Sequence, residues 1–102
     1  MPVNNRKRRH ATTNKGTIPI GKLADVAQRV LKNWKKLGRV LELDENQLRE
    51  IEQDYENDGI QEQCYQMLLA WKERYPDQGY ETLSYALGKL HLNDVARQLN
   101  FN

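Results

Sequence analysis

The sequence predicts an all-α fold, a bundle of five or six short helices. From Leu23 onward, apolar residues recur three and four positions apart in successive stretches, which is the spacing of one helix face. Capping and turn residues separate these stretches, and none alternates apolar and polar residues as a half-buried strand does. With 102 residues, the chain is expected to bury roughly 60–65% of the surface that its unfolded form exposes, which suffices for one core.

Residues 1–21 are expected to form a flexible basic leader, and residues 22–102 the folded domain. The leader has five basic residues, no acidic ones and no apolar periodicity, so it offers little hydrophobic area to offset the entropy of ordering. Its basic cluster, residues 6–9, is of the kind that serves as a nuclear address or a nucleic-acid contact, although a solvated linker is the more common explanation.

The first two helices share one apolar pattern between Leu23 and Leu41, which by itself would fit a single helix of about five turns. Asn33 is the favoured break, because its side chain can bond locally and cap a helix that begins at Trp34. The polar face of this stretch is expected to form a basic surface with five members: Arg29, Lys32, Lys35, Lys36 and Arg39.

The third helix is predicted to begin after Asp44, since Asp44 and Gln47 have the spacing of a capping box. Leu48, Ile51 and Tyr55 give this helix an inner face. The rest of its surface is strongly acidic, with Glu45, Glu50, Glu52, Asp54 and Glu56. The acidic residues expected to contact a partner are Glu45, Glu50, Asp54, Glu56 and Asp58.

A fourth and longer helix is predicted from about residue 59 to residue 75, where Pro76 ends it. Asp58 is the expected N-cap, because its carboxylate can accept one of the first free N–H groups. Trp71 is the largest apolar anchor of this helix. The inner face is predicted from the helical spacing of four residues: Ile60, Cys64, Leu68 and Trp71.

The last two helices follow the turn at residues 75–79. The fifth carries apolar residues from Tyr80 to Leu90, and Asn93 can cap the sixth. Gly38 and Gly88 lie inside predicted helices, where each costs roughly 1 kcal/mol relative to Ala, so the helices are expected to approach closely at both positions. The predicted core is Leu23, Val30, Trp34, Leu37, Leu41, Leu48, Ile51, Cys64, Leu68, Trp71, Leu83, Leu87, Val95 and Leu99.

The inventory of reactive groups predicts neither catalysis nor a cofactor. His10 and His91 are each isolated, without a second His or Cys at metal-ligand spacing. Cys64 is better explained as a small core residue than as a nucleophile, and as the single cysteine it excludes an internal disulfide. No apolar run is long enough to span a membrane and no secretory signal is present. A reducing, cytoplasmic location is therefore expected.

The stretch IEQDYENDGIQEQCYQMLLAW, residues 51–71, resembles the third and fourth helices of death domains. The resemblance continues through NWKKLGRVLEL upstream and YETLSYALGKLHLNDVARQL downstream, and so covers about residues 22–99. Within the superfamily the chain is most similar to the death domains of receptor-interacting kinases and of the insect immune adaptor Imd. The resemblance implies an antiparallel six-helix bundle, with two helices where residues 23–41 show one pattern.

The charges are strongly segregated along the sequence. Residues 22–40 contain six basic residues against one acidic, and residues 41–62 nine acidic against one basic. Such patches are complementary but not self-matching, so they permit head-to-tail contacts with a copy or a relative. The resemblance implies a non-enzymatic adaptor that recruits a FADD-type adaptor in innate immune, NF-κB and caspase signalling, and it leaves self-association into oligomers open.

Two other functions compete with this interpretation. The leader and the basic surface could bind nucleic acid, although the nine neighbouring carboxylates would repel a phosphate backbone. Alternatively, both charged patches could serve solubility alone, in which case charge reversals would change nothing.

Overall fold

The computed structural model of the protein describes residues 18–100, and the side chains of residues 18–98. This part of the chain contains six α-helices, two short 3₁₀ helices and no β-strand, which confirms the predicted all-α fold. The α-helices are α1 (Ile20–Val30), α2 (Trp34–Val40), α3 (Glu45–Asp54), α4 (Ile60–Arg74), α5 (Tyr80–Lys89) and α6 (Asn93–Asn100). The 3₁₀ helices are Leu31–Asn33 and Glu56–Asp58.

The core forms around α4, which packs against α1, α2 and α3, while α5 packs most extensively against α6. Trp71 on α4 is completely buried, and its Nε1 donates a hydrogen bond to Oε1 of Gln78 at 2.8 Å. Thirteen of the fourteen residues predicted for the core are buried. The side chain of the remaining one, Leu99, lies outside the described residues.

The described fold includes residues that precede the expected domain boundary. Ile18 is buried, its carbonyl oxygen accepts a hydrogen bond from Nζ of Lys72 at 3.1 Å, and α1 starts at Ile20. Burial lowers the pKa of Lys72. Residues 18–21, which the sequence pattern assigns to the leader, are therefore part of the fold, because Ile18 is buried in the core and the Lys72 side chain bonds its carbonyl oxygen.

The break between α1 and α2 falls where it was predicted, but Asn33 does not cause it by capping. The side chain of Asn33 makes no capping hydrogen bond to α2. Instead, Leu31 adopts φ 47° and ψ −117°, and its N–H donates to the carbonyl of Ala27. A positive φ is unfavourable for a residue with a Cβ atom, and the apolar pattern carries no signal for it.

The start of α4 corrects two expectations. Asp58 lies in the second 3₁₀ helix, and Gly59, at φ 95°, occupies the N-cap position without a side-chain capping bond. Only glycine adopts this conformation without strain. Ile60, expected on the inner face, is 48% exposed, because as the first residue of α4 it lies at the end of the bundle beside Leu31.

The start of α3 and one of the two helical glycines agree with the sequence. Oδ1 of Asp44 accepts a hydrogen bond from the backbone N–H of Gln47 at 2.7 Å. A Cβ atom added to Gly38 would lie 2.6 Å from Cδ2 of Leu48 and 3.3 Å from Cγ of Met67, which confirms a close helix–helix approach there. At Gly88 the nearest atom would be 3.6 Å away, so the close approach expected at this position is wrong.

Candidate interaction surface

The five basic residues, here called the basic strip, lie on three consecutive elements: the end of α1, the first 3₁₀ helix and α2. Arg29 lies in the last turn of α1, Lys32 in the 3₁₀ helix, and Lys35, Lys36 and Arg39 on α2. Four of them are exposed and Lys35 is partly exposed. Each member of the basic strip is therefore at least partly accessible to a partner.

The acidic residues follow on the next elements. They are all exposed: Glu45, Glu50 and Asp54 on α3, and Glu56 and Asp58 in the second 3₁₀ helix. Because α2 and α3 are joined by a short turn and contact one another, the basic and acidic sets meet where these two helices adjoin.

Arg39 and Glu45 connect the two sets at the turn between α2 and α3. Nε of Arg39 donates to Oε2 of Glu45 at 2.6 Å, and Nη2 donates to Oε1 at 3.3 Å. This two-point contact lowers the pKa of Glu45 and raises the pKa of Arg39. Both side chains are about half exposed, so solvent and salt screen their attraction.

A second ion pair joins Lys35 on α2 to Glu52 on α3, with Nζ and Oε2 2.7 Å apart. The same Nζ lies 5.9 Å from the centroid of the Trp34 ring. Glu52 is absent from the residues that the sequence pattern selects for the interface. Its spacing was nevertheless a signal, since Glu52 lies seven residues, about two helical turns, after Glu45 and so shares its face.

The remaining predicted residues keep uncompensated charge. Within residues 18–98, the ion pairs involve none of the following: Arg29, Lys32 and Lys36 on the basic strip, and Glu50, Asp54, Glu56 and Asp58 on the acidic side. The structure therefore divides the predicted interface. Lys35, Arg39 and Glu45 already form ion pairs within the chain. The other seven residues form none in the described structure, so their charges are available to a partner.

The described residues show no arrangement suited to catalysis. Cys64 is completely buried, and burial raises the pKa of its thiol to about 12, so the reactive thiolate is scarce. No group of three or more His, Cys, Asp or Glu residues in this part of the chain could hold a metal ion. An open cavity of about 610 Å³ beside α6 is lined by Arg29, His91 and Arg97, among others, but by no serine, threonine or cysteine. None of the described helices combines the length and apolar character that a membrane crossing requires.

Comparison with known proteins gives two matches. The family model described as "Death domain" matches residues 20–102. Over 52 residues the chain is 40% identical to receptor-interacting serine/threonine-protein kinase 1 of Homo sapiens, an alignment that covers 51% of this chain and 8% of the kinase. No solved structure matches the chain. These matches confirm the predicted resemblance to death domains and to receptor-interacting kinases, whereas the similarity to Imd stays a prediction.

Proposed function

The chain belongs to the death domain family, and we propose that it is an adaptor domain whose basic strip and acidic side bind complementary faces of other death domains. Death domains are non-catalytic modules that associate with one another in signalling. Beyond this family property, we propose which residues make the contacts and which class of death domain is the partner.

The observation that carries this proposal is the uncompensated charge on adjoining elements. Arg29, Lys32 and Lys36 are exposed on one set of elements, and four unpaired carboxylates are exposed on the next set. A partner with the same distribution can place its acidic side against this basic strip in a heterologous contact. Opposite potentials would steer the encounter and reject wrongly oriented partners. Lys35, Arg39 and Glu45 would also contact the partner, while each keeps its ion pair within the chain.

The proposed partner is the death domain of a FADD-type adaptor, in cytoplasmic signalling of the innate immune, NF-κB and caspase type. The similarity to a receptor-interacting kinase supports this assignment, as does the predicted resemblance to Imd. The rival function, nucleic-acid binding by the basic strip, is disfavoured because Lys35 and Arg39 face Glu52 and Glu45. A phosphate backbone that followed the strip would meet these carboxylates.

The test is the affinity of the full chain for a FADD-type death domain, measured by titration calorimetry at low and high salt. Lys36→Glu and Glu50→Lys each reverse an exposed charge that lacks an ion pair in the described structure. Each should weaken binding about tenfold or more, because like charges would then meet across the contact, while the helical content stays unchanged. Glu73→Lys, at an exposed carboxylate on α4, is the matched control and should bind as the unmodified chain does. Normal binding by both test variants would refute the proposal.

A further inference from the structure

Besides Ile20, the described structure exposes large apolar residues at two sites. One is an open cavity of about 400 Å³ at the end of the bundle, where Leu31 and Ile60 lie close together and are 42% and 48% exposed. The other is Tyr85 on α5, which at 64% is the most exposed large hydrophobic residue of the described structure. Neither site is covered by another element of the described chain.

Both signs of charge are found at or near the cavity. Arg29 and Lys32 contribute to its lining. Asp58, which is exposed, precedes the lining residue Ile60 by two positions. The cavity therefore combines apolar residues with two bases in its lining and has a carboxylate close by in the chain. Leu31 is held at φ 47°, and unfavourable backbone conformations of this kind concentrate at binding sites.

Tyr85 lies at the centre of a strip that also carries both signs of charge. Glu81, Tyr85 and Lys89 are each four residues apart on α5 and all are exposed, so they share one helix face over about 12 Å. Nζ of Lys89 lies 5.5 Å from the centroid of the Tyr85 ring. The strip thus presents acid, aromatic ring and base.

We propose that the Glu81–Tyr85–Lys89 strip of one copy docks into the Leu31–Ile60 cavity of a second copy. Tyr85 would contact the two apolar residues, Glu81 would face Arg29 and Lys32, and Lys89 would face Asp58. This inference rests on the proposed function, since it specifies one contact of homotypic association. Because strip and cavity are different surfaces, a docked pair leaves one strip and one cavity unoccupied, and the assembly can grow by repetition.

The test is sedimentation velocity of the full chain over a range of concentrations. Tyr85→Ala removes the ring of the strip. Ile60→Asp places a carboxylate in the cavity, at a first helical position that tolerates acidic residues. Both variants should remain monomeric at concentrations where the unmodified chain forms larger species. Ile20→Asp makes the same substitution at the first position of α1, where Ile20 is 58% exposed. It is the matched control and should assemble as the unmodified chain does.

A mixture of the two variants separates loss of contact from loss of folding. Tyr85→Ala retains the cavity and Ile60→Asp retains the strip, so an equimolar mixture should form a dimer and nothing larger. A mixture that stays monomeric would overturn the inference. So would single variants that assemble like the unmodified chain, although homotypic association through the charged faces would then stand. If the unmodified chain is monomeric throughout, this inference fails, and calorimetry with the FADD-type death domain decides separately whether the proposed function survives.

Discussion

Nζ of Lys35 on α2 lies 2.7 Å from Oε2 of Glu52 on α3, so one of the proposed interface residues already has a partner inside its own chain. An exposed pair of this kind contributes about 1 kcal/mol or less to stability. Its larger consequence is for the interpretation of mutants, because reversing the charge of Lys35 changes both the contact with a partner and the contact between α2 and α3.

The two roles of Lys35 can be separated by exchanging the pair. Lys35→Glu should abolish partner binding and lower thermal stability slightly, because two carboxylates then face each other. Lys35→Glu combined with Glu52→Lys should restore the stability, since the ion pair is rebuilt in reverse, yet leave binding lost. Thermal unfolding and calorimetry measure the two effects. If the exchanged variant binds normally, the charge of Lys35 makes no contact with the partner, and the residue acts only through the ion pair that positions α2.

The Arg39–Glu45 contact predicts a specific pH dependence of stability. Because the hydrogen bond from Arg39 lowers the pKa of Glu45 in the folded state, its contribution is fully present above the ordinary carboxyl pKa of about 4.3. The contribution disappears as the pH falls through the lower pKa of the folded state. The difference in unfolding temperature between the unmodified chain and Glu45→Gln should therefore be constant from pH 7 to about pH 5 and shrink below that.

Replacing Arg39, the ion-pair partner of Glu45, supplies the control for this pH dependence. In an Arg39→Gln background, the pH-dependent difference in unfolding temperature produced by Glu45→Gln should be much smaller, because only the weaker attraction of Arg49 and Lys35 then lowers the pKa of Glu45. High salt should also reduce the effect, because both side chains are exposed. A pH-dependent difference that keeps its full size without Arg39 would assign it to another group.

Gly38 and Gly88 should respond in opposite directions to the same substitution. At Gly38 an added Cβ would lie 2.6 Å from Cδ2 of the buried Leu48, and overpacking of this kind typically costs about 1–3 kcal/mol. At Gly88 the nearest contact would be an ordinary 3.6 Å, so Gly88→Ala should stabilise by about 0.5–1 kcal/mol through helix propensity. Urea unfolding measures both. Equal effects at the two positions would show that packing at Gly38 is looser than the distances indicate.

The features that the sequence predicted well are local ones. The helical spacing through Trp71 and the cap at Asp44 depend on residues within a few positions of each other, and both agree with the structure. The positive φ at Leu31 and the exposure of Ile60 depend instead on the path by which α1, α2 and α4 meet. No apolar spacing encodes that path.

The charged surface was predictable only in part for a related reason. Composition and spacing selected the basic and acidic residues, but the Lys35–Glu52 pair follows from how α2 and α3 lie against each other. With that arrangement known, the four-residue spacing from Lys35 to Arg39 and the seven-residue spacing from Glu45 to Glu52 would have predicted both ion pairs.

The conformation of Leu31 predicts that glycine is more stable than alanine at this position, the reverse of the usual order in a helix. Its φ of 47° and ψ of −117° strain any residue with a Cβ atom and suit glycine. Leu31→Gly and Leu31→Ala both remove the side chain, but only the first relieves the strain. The glycine variant should therefore be the more stable by about 1 kcal/mol, as measured by urea unfolding.

Lys32, the next residue of the same 3₁₀ helix, is absent from the described residues with positive φ and supplies the control. There alanine should be more stable than glycine by about 0.5–1 kcal/mol. If alanine is preferred at both positions, the chain does not leave α1 through a left-handed turn at Leu31.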